Sequence, residues 1–218
     1  MEQIENLTGQ ALYEREVSAH HRQDSGSYKK GSWITTYKGH KFYPLDPDPD
    51  DIDIMDIAHA LSNSCRWTGH VSQFYSVAQH CVLVSQNCKP ENALGGLLHD
   101  ATEAYLSDIS RPVKYSEKMD GYRDIEANLE KVISEKYNLP YPMTIDVKKA
   151  DDDLLLSEAF TFFRPVPEWA SNRIKDLGLE KPSIVIDGGY QPAIAKGLFL
   201  RRFFELNGVN ISAKTEEN

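Results

Sequence analysis

The sequence predicts an all-α fold, a helical bundle preceded by a small N-terminal β-hairpin. Three observations carry this. Apolar residues recur at helical spacing in segment after segment from Ile54 onward. Prolines and glycines punctuate these segments where short connections are needed. Residues 32–43 combine β-branched and aromatic residues on either side of a turn signal.

Residues 1–31 are polar and charged. A weak amphipathic pattern through Ile4, Leu7, Ala11 and Leu12 suggests a short helix, and Asp24-Ser25-Gly26-Ser27 then reads as flexible, so this stretch is an arm. The main domain is expected over 32–207, with a polar tail at 208–218. In the segment SWITTYKGHKFY, Lys38-Gly39 is the expected hairpin turn. The acidic, proline-punctuated stretch Pro44 to Pro49 cannot be a helix interior or a central strand. Asp50 or Asp51 is then placed to cap a first helix, whose apolar stripe is Ile54, Ile57, Ala58 and Leu61. Trp67-Thr68-Gly69 interrupts it. Ser72 suits the cap of a second helix carrying Tyr75, Ala78, Val82 and Leu83 and stopping before Pro90.

A third helix is expected from about residue 91 to 107, apolar through Leu94, Leu97 and Leu98. Pro112 punctuates the link that follows. A fourth runs from about 120 to 137 and stops at Leu139-Pro140; a fifth runs from about 145 to 163 and stops at Pro165. Residues 164–190 are broken by Pro and Gly, and their apolar run Ile184-Val185-Ile186 reads as a strand or an extended loop. The last helix begins at Pro192, a residue suited to a first turn, and ends near Leu206.

Composition narrows the function. The chain of 218 residues is 40% hydrophobic and 26% charged, as soluble globular proteins are. It is long enough to bury a core without disulfide staples. A formal net charge of −9 speaks against a duplex nucleic-acid partner, since phosphate neutralisation needs clustered Lys and Arg. It leaves a small anionic substrate open, because a metal or a local basic group inverts the potential inside a pocket. Three cysteines, Cys65, Cys81 and Cys88, lack the even count and tight spacing of a disulfide framework or zinc ribbon. Buried thiols in a reducing cytoplasm are expected. The first residues lack a basic region with an apolar run behind it, and no stretch has bilayer length. A cytoplasmic protein without a membrane partner is therefore expected.

The chemistry centres on His99-Asp100 within the third apolar segment. Taken alone, such a pair is ordinarily solvated. If both side chains are desolvated, the carboxylate needs a counter-charge, and a metal ion supplies one. Imidazole with carboxylate suits zinc, manganese, cobalt or iron. Glu103 follows at helical spacing on nearly the same face, and Asp108 lies just beyond. Together they form a plausible acid/base cluster, although each is individually compatible with an exposed carboxylate or a cap. His80, inside the apolar second helix, is by itself more often a satisfied core histidine. It gains weight because a metal site needs more than two protein ligands. In Asp151-Asp152-Asp153, three successive positions span a wide arc, so one is expected to face the bundle. Arg66-Trp67 reads either as a helix-end arginine beside a core tryptophan, or as a phosphate fork beside a pocket wall. Lys114 is either a loop lysine or a second phosphate contact. His70 is as easily a turn residue.

With these residues in place, the chain resembles the HD-domain phosphohydrolases. It is most similar to bacterial 5′-deoxynucleotidases and phage or prophage HD proteins, including phage dATP triphosphohydrolases. The segment His99-Asp100-Ala101-Thr102-Glu103, then Asp108, then Pro112-Val113-Lys114-Tyr115 carries the resemblance, with Arg66-Trp67 upstream and Ala150-Asp151 downstream. The resemblance implies an HD-domain bundle and a divalent metal (Zn, Co, Mn or Mg) on His80, His99, Asp100 and Asp151. It implies Glu103 and Asp108 as catalytic acid/base groups, Arg66 and Lys114 as phosphate contacts, and Trp67 as a wall for the sugar or base. The implied activity is hydrolysis of the 5′-phosphate or triphosphate of a deoxynucleotide by a homo-oligomer, dimer or hexamer, in the host cytoplasm if phage-encoded. Three other readings stay open. They are a phosphodiesterase on cyclic or short oligonucleotides, a non-catalytic nucleotide sensor or sequestering protein, and a purely structural helical protein.

Overall fold

The computed structural model describes residues 31–208, and the short helix expected in the arm, like most of the tail, lies outside the described residues. The described chain is mostly helical, with one small antiparallel sheet. Strands β1 (Ile34–Thr35) and β2 (Lys41–Phe42) pair with Ile34 opposite Phe42 and Thr35 opposite Lys41. Gly39 closes the turn at φ +83°, a conformation that an L side chain resists. The hairpin buries Phe42 completely, stacked on Tyr105 at 4.0 Å.

Helix α1 (Ile54–Asn63) turns Ile57, Ala58 and Leu61 into the core. Its cap is Asp53, which accepts from the Met55 amide at 2.7 Å, rather than Asp50 or Asp51. Those two lie in a 3₁₀ turn, Pro49–Asp51, capped by Asp48. The proline forces the chain through that turn first, so the true helix starts later. The hairpin is fastened to α1: the Lys38 amide donates to Asp56 Oδ1 at 2.7 Å, and Tyr37 stacks on His59.

Helix α2 (Val77–Asn87) is capped by Ser76, which accepts from the Gln79 amide at 3.1 Å. Ser72 is not the cap; its amide instead bonds the Phe162 carbonyl. The delay arises because Cys65 and Ser76 form an antiparallel bridge, with Arg66 N on Tyr75 O, that holds the chain extended at residues 75 and 76. Eight of the eleven residues of α2 are buried, His80 among them.

The third expected helix is divided. A 3₁₀ turn at Pro90–Asn92 leads into α3 (Ala93–Leu98), and α4 (Glu103–Leu106) follows after a tightened turn. Across that turn the bonds slip to a three-residue spacing, Ala101 N to Leu98 O and Glu103 N to Asp100 O, both 3.0 Å. The His99-Asp100 pair therefore sits on a locally overwound helix, a feature often found at functional positions. Gly96 lets α3 approach α2, since a Cβ there would fall 2.7 Å from Cys88 Sγ.

Short helix α5 (Arg111–Lys114) forms where a plain link was expected, with Pro112 in its first turn. Helices α6 (Asp120–Lys136) and α7 (Ile145–Phe162) agree with the expected fourth and fifth to within a residue. Between Pro165 and Gly178 the chain forms α8 (Glu168–Asp176), which the sequence reading missed. Ala170 and Ile174 bury one narrow stripe of it against Leu156 and Ala159 of α7. The run Ile184 to Ile186 is an extended loop, not a strand. Helix α9 (Pro192–Leu206) packs on α1, α2 and α3 and buries Ala195 and Phe199. The main core gathers Leu61, Val77, Ala78, Leu97, Leu129 and Phe199 around the start of α2. All three cysteines are free; Cys81 is buried, whereas Cys65 and Cys88 are partly exposed. No described helix is long and apolar enough to cross a membrane.

The loop before α9 is held from inside. Gln79 donates to the Gly188 carbonyl at 2.7 Å and accepts from the Tyr190 amide at 2.8 Å. Gly189 lies so close to Phe74 that a Cβ would stand 1.7 Å from its carbonyl oxygen. Gly189→Ala is expected to cost about 1–3 kcal/mol, the range for forcing an extra carbon into a packed site. Urea unfolding checks this: the midpoint should fall with an unchanged slope.

Candidate metal centre

Helix α2 delivers His80, the overwound turn delivers His99 and Asp100, and α7 delivers Asp151. Their donor atoms converge. His80 Nε2 lies 3.2 Å from His99 Nε2, 3.1 Å from Asp151 Oδ1 and 3.6 Å from Asp100 Oδ2. His99 Nε2 lies 3.2 Å from Asp100 Oδ2. Of the aspartate triplet, Asp151 faces the bundle; Asp152 is exposed and Asp153 pairs with Lys149. One of the three was expected inward, and helix rotation selects the first.

Hydrogen bonds set the tautomers. His80 Nδ1 is 2.6 Å from Glu158 Oε1, and His99 Nδ1 is 2.8 Å from the Gly96 carbonyl. A carboxylate and a carbonyl only accept, so each Nδ1 carries the proton and donates it. In the neutral rings both Nε2 atoms are then bare lone pairs. They face each other and two carboxylate oxygens, an arrangement that repels itself unless a positive charge sits among them. Donors about 2.0–2.1 Å from a tetrahedral ion stand about 3.3–3.4 Å apart, close to the spacings here. The residues fit a divalent cation.

Charge points the same way. Burial works against ionising Asp100, but His99, His80 and Arg66 outweigh it and hold the carboxyl far below its usual range. Burial likewise opposes Asp151, yet the hydrogen bond and charge of His80 hold it at about 2. Glu158 is fully buried, and Arg66 with His80 keeps it ionised. Burial pulls against the Arg66 charge, but Glu158 and Asp100 keep it protonated above its normal range. Three carboxylates against one guanidinium leave two negative charges at the centre when both imidazoles are neutral. Desolvation opposes a charged His99, but Asp100 draws its protonation well above the ordinary histidine range. The centre therefore demands positive charge at this point, as a proton or as a metal. Cys81, Asp100 and His99 form a second converging set. Burial pushes the Cys81 thiol to about 11, so the imidazole–carboxylate set is the better ligand group.

Beside the centre, Glu103 Oε2 is buried without a hydrogen-bond partner. Burial, then the charges of Asp100 and Asp108, push its carboxyl to about 9. Burial, with the Asp100 charge, also raises Asp108, which is half-buried on the loop after α4. Arg66 directs Nε and Nη2 to Glu158 Oε2 at 3.2 and 3.1 Å, and Nη1 toward Asp100 Oδ2 at 3.5 Å. Trp67 donates its indole N–H to the same Glu158 oxygen at 3.1 Å. Its ring meets Phe163 edge-on and lies nearly parallel to Trp169 of α8, 6.2 Å away. Trp67 and Thr68 adopt left-handed conformations, φ 58° and 53°. Such strain in bulky or β-branched residues persists only where surrounding contacts enforce it. Lys114 bonds Glu126 of α6 at 2.7 Å. His70 is exposed.

Glu158, Glu126 and Trp169 are site neighbours that sequence reasoning missed. For Glu158 a signal existed: it lies two helical turns after Asp151, on the same face of α7, within the run Leu154-Leu155-Leu156-Ser157-Glu158-Ala159-Phe160, whose other residues are apolar apart from Ser157. Glu126 and Trp169 carry no such mark.

Comparison with known proteins adds a lineage. Protein-family models give no match to the chain. It is 40% identical over 188 residues to the uncharacterized protein YfdR of Escherichia coli (strain K12), covering 81% of this chain and 96% of the relative. The chain belongs to the YfdR family. A second relative, the uncharacterized protein RCAP_rcc00048 of Rhodobacter capsulatus, is 35% identical over 130 residues, 56% of this chain and 66% of the relative. Neither description states an activity, so the YfdR family supplies ancestry and the geometry supplies the chemistry.

Glu103 yields a signed pH effect. Its carboxyl is raised from an ordinary 4.5 to about 9, so above 4.5 the folded protein holds a proton that the unfolded chain releases. That contribution to stability is full below about 4.5 and is lost as pH rises toward 9. Metal-free protein should show a melting temperature falling between pH 6 and 9, and Glu103→Gln should flatten the fall. Equal slopes in calorimetry for both proteins would refute the assignment.

Proposed function

We propose that the chain is a metal-dependent phosphohydrolase of the HD-domain type, acting on the 5′-phosphate or triphosphate of deoxynucleotides. One observation carries the reading: two bare imidazole nitrogens and two ionised carboxylates converge beside a guanidinium and a raised glutamic acid. A structural bundle has no use for such a costly cluster. The substrate class rests on the resemblance of the His99-to-Tyr115 segment, with Arg66-Trp67, to HD-domain deoxynucleotidases.

A divalent cation on His80, His99, Asp100 and Asp151 supplies, when bound, Lewis acidity and a water of lowered pKa. The protein's own groups do the rest. Arg66 lies against Asp100 and gathers the phosphoryl oxygens as charge builds on them. Lys114 exchanges Glu126 for the phosphate, a swap between two anions with little net change in its pairing. Glu103, still protonated at neutral pH, can hand its proton to the leaving oxygen. Asp108 shares the same field and helps pass the proton lost by the attacking water to Glu103, restoring it. Trp67 walls the sugar. Attack at the phosphorus of a monophosphate gives nucleoside and phosphate. Attack at the α-phosphorus of a triphosphate gives nucleoside and triphosphate.

The test incubates the purified full chain with Mn²⁺, Co²⁺, Zn²⁺ or Mg²⁺ against all deoxy- and ribonucleoside mono- and triphosphates. Products are separated by chromatography. Deoxy-selective release of phosphate or triphosphate is expected, falling at least about 100-fold in Asp100→Ala, as expected for loss of a metal ligand. Absence of turnover with every metal sinks the reading.

A further inference from the structure

Glu158 is the deepest ionised group in the molecule's functional region, and its two oxygens serve opposite sides of it. Oε1 accepts from His80 Nδ1 at 2.6 Å, the back of a metal-facing imidazole. Oε2 accepts from Arg66 Nε, Arg66 Nη2 and Trp67 Nε1, all within 3.1–3.2 Å. Asp100 Oδ2 also lies near both groups, 3.5 Å from Arg66 Nη1 and 3.6 Å from His80 Nε2, but on the metal-facing side of the imidazole; Glu158 reaches its back. The carboxylate holds a single delocalised charge, shared between the two ends.

We infer that Glu158 is a positioning residue that couples cation binding at His80 to oxyanion binding at Arg66, so that each strengthens the other. A cation on His80 Nε2 makes the Nδ1–H a stronger donor and draws the Glu158 charge toward Oε1. The hold of Oε2 on the Arg66 fork weakens, and the fork is freer to turn to an anion. Conversely, an anion that draws Arg66 away leaves more charge for Oε1, which makes the imidazole a better electron donor to a cation. Both displacements have the same sign, and linkage makes them equal in free energy. The arrangement is a carboxylate–imidazole pair of the kind that tunes metal ligands from behind, here with an arginine on its far oxygen. The inference rests on the reading of Arg66 as a phosphate contact but needs no hydrolysis.

The test titrates Mn²⁺ into the full chain by electron paramagnetic resonance, with and without inorganic phosphate. Wild type should bind Mn²⁺ about 5- to 150-fold more tightly with phosphate present, the usual span of coupling between sites. Glu158→Gln keeps the shape and loses the charge. It should bind Mn²⁺ about 10- to 100-fold more weakly, the effect usual for a lost ligand-supporting partner. Because phosphate also attracts the cation directly, some phosphate effect remains in the variant, but a smaller one. An unchanged Mn²⁺ affinity in Glu158→Gln, an unchanged phosphate effect, or no phosphate effect in wild type overturns the inference. A second measurement needs no variant. In ¹⁵N-histidine-labelled wild type, the His80 Nδ1–H resonance should shift on adding Mg²⁺ and shift again on adding phosphate. A resonance that answers Mg²⁺ alone overturns the coupling. Neither measurement uses a nucleotide, so failure of hydrolysis and failure of coupling are told apart.

Discussion

A carboxylate with no solvent exposure costs several kcal/mol in desolvation unless charge and hydrogen bonds surround it, and the Glu158 cluster meets that condition with His80, Arg66 and Trp67. The rest of the site is arranged around this constraint. Satisfying Glu158 fixes the His80 tautomer, which exposes a bare Nε2 toward His99, Asp100 and Asp151. It also holds Arg66 beside Asp100 and pulls the Trp67 indole inward. With Trp67 in a left-handed conformation, two consecutive side chains reach one carboxylate oxygen.

The helical frame serves the same end. Helix α2 runs through the centre of the packing with α1, α3, α7 and α9 around it, so His80 is presented from a helix buried over most of its length. The overwinding between α3 and α4 places His99 and Asp100 within reach of it, and Gly96 permits the close approach of α3 that this requires. The Gln79 amide, one residue before His80, ties down the loop before α9 through the Gly188 carbonyl and the Tyr190 amide. Neighbouring side chains on one helix thus anchor the scaffold and the centre together.

Electrostatics divides the acidic groups into two kinds. Asp100, Asp151 and Glu158 face cations or imidazoles and stay ionised. Glu103 and Asp108 lie slightly farther out, where burial and the first group's charge push them toward protonation. Carboxyls of one residue class are thus held ionised or protonated according to their surroundings, the kind of separation that acid/base chemistry uses.

Sequence alone determined the helical character, the hairpin, the long helices α6, α7 and α9 and the metal-ligand candidates. Each depends on local information: apolar periodicity, proline and glycine punctuation, and ionisable residues stranded in apolar runs. His80, His99, Asp100 and Asp151 were legible for that last reason. Tertiary structure decided what depends on distant partners. The caps moved to Asp53 and Ser76 because a proline turn and the Cys65–Ser76 bridge delay the helices. The third helix broke where His99 and Asp100 meet α2 and α7, and α8 formed because α7 offered Leu156 and Ala159 to its narrow stripe. Spacing could place Glu158 on the Asp151 face but not show that Arg66, 92 residues earlier in the chain, would supply its counter-charge. A buried charge is stabilised by what surrounds it in space, and one-dimensional pattern carries no record of that.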